Sequence, residues 1–103
     1  MDCQVQYEVA LRLWMTFKND RNPKHLVKAS DILEKSLNTC NTDTGLVAKA
    51  SWLYYVVMTT LDEDNEKKVR KYAEYAITLD RRYSILDYSK VKRGALLESS
   101  EVR

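Results

Sequence analysis

The chain has 103 residues, a formal charge of +2, 45% hydrophobic and 31% charged residues. That is one domain's worth of ordinary globular composition, too balanced for a disordered segment or for polyanion binding on charge alone. Two glycines and one proline cannot supply the many tight turns of a β-sandwich or barrel, so long helices joined by polar connections are expected.

Segment one, about residues 3–18, repeats apolar residues at Val5, Val9, Leu13 and Phe17, with Tyr7, Ala10, Leu11 and Trp14 widening the stripe. A polar connection, residues 18–22, follows. Asn22 before Pro23 suits an N-cap and first turn, since proline's missing N–H has no helical partner there. Segment two runs to about Thr39, with Leu26, Ala29, Leu33, Ser36 and Leu37 facing one way and Lys28, Asp31, Glu34 and Lys35 facing out. Residues 38–44 are polar and lead to Gly45, which reads as a connection.

Segment three, about residues 44–60, is apolar almost all round and is expected to be the most buried element. Its stretch Trp52 to Val57 has strand propensity too, but the start Leu46 to Ala50 and the lack of any strand partner favour helix. Segment four follows the acids 62–66, placed where a helix N-terminus carries partial positive charge. Val69, Tyr72, Ala73 and Ala76 form its inner face. Segment five opens at Ser84 with Asp87 three residues on, a capping-box pattern, and runs through Gly94 to about Leu97. The expectation is an all-α fold of five helices: one domain over residues 1–97, with a frayed polar tail over 98–103.

A shift of forty residues places Ala10 on Ala50, Leu13 on Leu53, Trp14 on Tyr54 and Phe17 on Val57. The same shift places Ala29 on Val69, Leu33 on Ala73 and Ser36 on Ala76. One offset serves both helices without a gap, as a stacked repeat requires. The alternative is a plain bundle whose amphipathic helices match by coincidence. Residues 69–83, with small residues at Ala73 and Ala76 and the ending Leu79, Asp80, Tyr83, resemble the second helix of a tetratricopeptide repeat. Residues 29–37 look like the same helix one repeat earlier. The period is forty rather than about thirty-four, and Arg81 stands where the family commonly has proline, so the resemblance is to a degenerate form. It implies two stacked antiparallel helical hairpins over about residues 4–83, plus a closing helix.

Enzyme chemistry finds few residues. His25, the single histidine, opens segment two and reads as a solvated helix-start side chain rather than a general base. Asp62 and Asp64 read as caps, and glycine at 45 and 94 alone allows neither a Walker loop nor a dinucleotide fingerprint. Two cysteines and one histidine lack metal-ligand spacing, so no metal and no cofactor is expected. With no apolar stretch after a basic one near Asp2, and a longest apolar run of seven residues (Trp52 to Met58) against the roughly 20 of a membrane helix, a cytoplasmic chain without membrane contact is expected. Cys3 and Cys40 would then be reduced, as two small, partly buried side chains. An antiparallel hairpin nevertheless brings them to the same end, and the separation of their α-carbons decides whether a bridge is open to them.

The functional expectation is a non-catalytic adaptor or regulatory module that binds a partner protein, or itself, with no small-molecule substrate. The resemblance implies that first helices line the binding face, which directs Tyr7, Leu11, Trp14, Val47, Tyr54 and Tyr55 toward it. Tyrosine and tryptophan suit an interface anchor, and an interior role for the same set is equally open. The family's clamp for acidic C-terminal peptides has no counterpart, since the candidate positions hold Glu8, Ala48 and Ser51. A rival is contact with nucleic acid or an acidic partner. Residues 66–93 hold nine bases against four acids, and Lys67, Lys68, Arg70, Lys71, Arg81 and Arg82 alternate with Tyr72, Tyr75 and Tyr83.

Overall fold

A computed structural model describes residues 2–82. These form α1 (Cys3–Asp20), α2 (Lys24–Thr39), α3 (Thr44–Leu61) and α4 (Glu66–Leu79), with a 3-10 turn over Glu63–Asn65 before α4. Among the described residues there is no strand, so the all-α class holds. The five-helix architecture is corrected to four helices there; the expected fifth helix with Gly94 and the polar tail lie outside the described residues.

Side-chain caps mark the starts of α1, α2 and α3. Asp2 accepts the Gln4 N–H at 3.2 Å, Asn22 accepts Lys24 N–H at 3.1 Å, and Asp43 accepts Leu46 N–H at 3.2 Å. Each carboxylate or amide oxygen satisfies an N–H that a first helical turn leaves without a partner. Gly45 belongs to the first turn of α3, not to the connection, which closes at Asp43. The 3-10 turn is capped by Asp62, which accepts Asp64 N–H at 2.9 Å.

Each helix packs on its neighbours in sequence, and α1 also reaches α3. Tyr7, Ala10, Trp14 and Phe17 of α1 meet Leu26, Ala29, Leu33 and Ser36 of α2, while α4 contributes Val69, Ala73 and Ala76. The segment from Trp52 to Val57 is helical and wholly buried. Helix α3 is buried on most sides, and two hydroxyls in its last turns bond back along the helix, while the buried Ser51 hydroxyl has no hydrogen-bond partner among the described residues. Thr59 donates to Tyr55 O at 2.8 Å, and Thr60 donates to Val56 O at 2.7 Å.

The forty-residue offset places buried residues on buried residues at Ala10/Ala50, Trp14/Tyr54, Phe17/Val57, Ala29/Val69, Leu33/Ala73 and Ser36/Ala76, whereas half-buried Leu13 falls on fully buried Leu53. Small side chains at Ala10, Ala29, Ala50, Ala73 and Ala76 are almost fully buried, letting neighbouring helix backbones approach.

Candidate functional site

Helix α1 carries two apolar tracks. Residues four apart on a helix turn by about 40° per step, so Val5, Val9 and Leu13 swing step by step toward the core track of Tyr7, Ala10, Trp14 and Phe17, with Val5 the farthest from it. Val5 remains 41% exposed, and Val9 and Leu13 are half-buried. Opposite them on α2, Ile32 is half-buried beside the core residues Ala29, Leu33 and Ser36. Between the two helices lies a groove of about 220 Å³ lined by Gln6, Val9, Ile32 and Lys35. A wider depression of about 450 Å³ lies beside Met15, Thr16, Lys18 and Asn19 at the other end of α1.

The groove has a basic rim. Lys35 lines it; Lys28, four residues before Ile32, and Arg12, three residues after Val9, share the flanks by helical spacing. All three are exposed, and among the described residues none is ion-paired to a carboxylate. Acids stand close in sequence to all three: Glu34 beside Lys35, Asp31 three residues after Lys28, and Glu8 four residues before Arg12. An apolar floor therefore adjoins cations that make no ion pair among the described residues.

A covalent bond closes one end. Cys3, in the first turn of α1, and Cys40, directly after α2, form a disulfide with α-carbons 6.0 Å apart, inside the roughly 4.4–6.8 Å that a bridge spans. The expectation of two reduced, unlinked thiols is corrected: antiparallel packing stacks α1's start on α2's end. Gln6 lies between bridge and groove, with its Oε1 3.9 Å from Cys40 Sγ.

The aromatic set expected on a partner surface occupies the interior. Tyr7, Trp14, Val47, Tyr54 and Tyr55 are each less than a tenth exposed, and Leu11 is half-buried. Of the two roles open to these residues, the structure gives Tyr7, Trp14, Val47, Tyr54 and Tyr55 the interior one, with Leu11 at the edge of the core. Tyr55 donates to Glu66 at 2.8 Å, tying α3 to the start of α4. The Tyr54 ring meets Tyr72 edge-on at 4.8 Å. Burial pushes the Tyr54 phenol above its ordinary 10.0, with the Glu34 carboxylate adding to the shift.

The basic set on α4 is partly neutralised within the chain. Arg70 donates to Glu66 at 2.9 and 2.7 Å, which raises its pKa further, and Arg82 donates to Asp80 at 3.0 and 2.5 Å. Lys71 sits 5.4 Å over the Tyr72 ring. Lys67, Lys68 and Arg81 are exposed, as is Tyr75, while Tyr83 lies outside the described residues. His25 is partly buried and pairs with Asp20 at 3.0 Å rather than standing in solvent.

No family model, curated protein or solved structure matches this chain. Among the described residues, no helix is long and apolar enough to cross a membrane, and no group of histidine, cysteine and carboxylate side chains is placed to hold a metal.

The groove is not legible in the sequence because Val5, Val9 and Leu13 belong to a continuous apolar stripe until the neighbouring helix is placed. The available clue was the pairing of that drifting track with Lys28, Ile32 and Lys35 on the outer face of α2.

Proposed function

We propose that this chain is a small non-catalytic interaction module whose groove between α1 and α2 binds an acidic, partly apolar segment of a partner protein. The carrying observation is the coincidence of Val5, Val9 and Ile32 with three cations free of carboxylate partners among the described residues. Apolar contacts supply affinity, and opposite charge steers the encounter and fixes register. The forty-residue offset with matched burial supports a degenerate tetratricopeptide-like relation between the first two helices and the next two, and helical repeats present this kind of extended surface. The nucleic-acid reading draws less support, because Arg70 and Arg82 already serve Glu66 and Asp80.

The test uses a short synthetic helical peptide with leucines on one face and glutamates on its flanks, titrated by fluorescence anisotropy. Lys28→Glu with Lys35→Glu, both at exposed positions, weakens binding by about tenfold or more, equivalent to ~1.4 kcal/mol. Equal binding by the charge-reversed protein overturns the groove. Preferential capture of a single-stranded oligonucleotide, with affinity falling steeply as salt rises, favours the basic α4 face instead.

A further inference from the structure

We propose that Cys3–Cys40 is a thiol–disulfide exchange site at which a small-molecule thiol or a protein dithiol unlatches the first turns of α1. The observations are positional. The bridge joins residues 37 apart in sequence and fastens α1 at the end away from the short α1–α2 connection. With the bridge intact, the pair is a closed covalent ring, tied at one end by residues 21–23 and at the other by sulfur. Helix α1 is an outer element, packed on α2 and to a lesser extent on α3, so its start is the place where loss of one tie has most effect. Both cysteines are partly exposed, and the residues after Cys40, Asn41 to Thr44, are exposed as well, leaving that side open to an attacking thiol.

The two sulfurs are not equivalent. Cys3 lies in the first turn of α1, at the positive end of the helix dipole, which favours a thiolate; the Asp2 carboxylate beside it is engaged with the Gln4 N–H at 3.2 Å. Cys40 follows the last carbonyls of α2, where the dipole disfavours one. The sulfur that leaves more easily as thiolate is therefore Cys3, and the incoming thiolate attacks Cys40 Sγ. In this step the Cys3–Cys40 bond breaks, a mixed disulfide forms on Cys40, and Cys3 departs as thiolate. A second thiolate then attacks the external sulfur of the mixed disulfide, releasing Cys40 and the oxidised thiol as its own disulfide. Two electrons pass from two thiols to the two cysteines.

Release carries a consequence for the groove, and this clause rests on the function proposed above. Gln6, which lines the groove, stands against Cys40 Sγ, and Val5 and Val9 are on the same freed turns. The oxidised chain thus presents the groove, and reduction dissolves one wall.

The test uses the full chain and reduced glutathione as the probe. Acid quenching, alkylation and peptide mass mapping follow the sulfurs; hydrogen exchange follows the helices. The expected intermediate carries glutathione on Cys40, and amides of residues 3–10 exchange about tenfold or more faster after reduction while those of α3 hold. The Cys3→Ser, Cys40→Ser double variant reproduces the fast exchange without any reductant. Unchanged protection of residues 3–10 in both the reduced protein and the double variant overturns the latch. Glutathione found on Cys3 overturns the assigned direction of attack. The acidic leucine-bearing peptide, titrated into both redox forms, isolates the second clause. Binding only to the oxidised form supports groove control, and equal binding to both overturns it. No binding to either form sinks the groove reading alone, since the mass and exchange readouts need no ligand.

Discussion

Arg21 closes α1 with a φ of 61°, the single positive φ among the described non-glycine residues. Its N–H donates to Phe17 O at 2.7 Å, and its guanidinium lies 5.6 Å from the Phe17 ring centroid. The left-handed backbone costs a non-glycine residue about 1 kcal/mol, while an exposed cation–π contact returns roughly 0.5–1 kcal/mol. Arg21→Ala loses the contact and keeps the strain; Arg21→Gly loses the contact and sheds the strain. Chemical denaturation therefore ranks Gly above Ala by about 1 kcal/mol, and a ranking of Ala above Gly contradicts the left-handed cap. One residue earlier, Asp20 is held below its ordinary 3.8, first by the Asn22 N–H at 2.9 Å and then by His25. A carboxylate with a lowered folded pKa adds stability above its unfolded value, and that stability is lost as pH falls through the folded value. The Asp20 contribution is therefore full above about pH 4 and disappears on further acidification. In a carboxyl NMR titration, His25→Gln moves the Asp20 midpoint upward only part of the way to 3.8, because the larger donor is backbone. Full restoration to 3.8 would make His25 the dominant cause.

The helices themselves show what a sequence alone can and cannot resolve. Their spans follow from a 3.6-residue period interrupted by few breakers: α2 ends at Thr39 as its pattern does, and α3 starts at Thr44 behind its Asp43 cap. The inner face of α2 is readable because Lys28, Asp31, Glu34 and Lys35 leave one apolar stripe. Helix α1 offers two overlapping stripes, and nothing within it says that Tyr7 and Trp14 turn inward while Val5 turns out; that choice is made by α2 and α3. The disulfide depends likewise on how far α1 and α2 overlap. The interior role of the aromatic set has a direct check. Trp14 is 2% and Tyr54 6% exposed, and truncating buried aromatics costs about 3–5 kcal/mol each. Against a domain stability of roughly 5–15 kcal/mol, either Trp14→Ala or Tyr54→Ala lowers the melting temperature sharply. The pair together abolishes the cooperative helical transition in circular dichroism. A double variant that melts like the parent chain returns these residues to the surface.

At the scale of the whole molecule, the cross-link and the core stabilise the fold by different means, and denaturation separates them. Buried groups such as Leu33, Leu53 and Val57 act on the folded state, removing apolar surface from water. The Cys3–Cys40 bridge, spanning 37 residues of sequence, acts mainly on the unfolded chain by restricting the conformations it can reach. The loop-entropy relation gives such a ring about 4 kcal/mol, within the ~0–5 kcal/mol range of such bridges. Breaking it therefore lowers the denaturation midpoint, and it also expands the unfolded ensemble, exposing more surface and steepening the denaturant slope. A core truncation such as Leu53→Ala removes about 2–5 kcal/mol of stability and so lowers the midpoint while leaving the slope as it was. The expected result in guanidinium is thus two distinct signatures: a lower midpoint with a larger slope for the reduced chain, and a lower midpoint at constant slope for Leu53→Ala. If reduction lowers the midpoint at constant slope, the bridge is acting through folded-state contacts around α1, and its weight belongs with the packing of Tyr7 and Ala10.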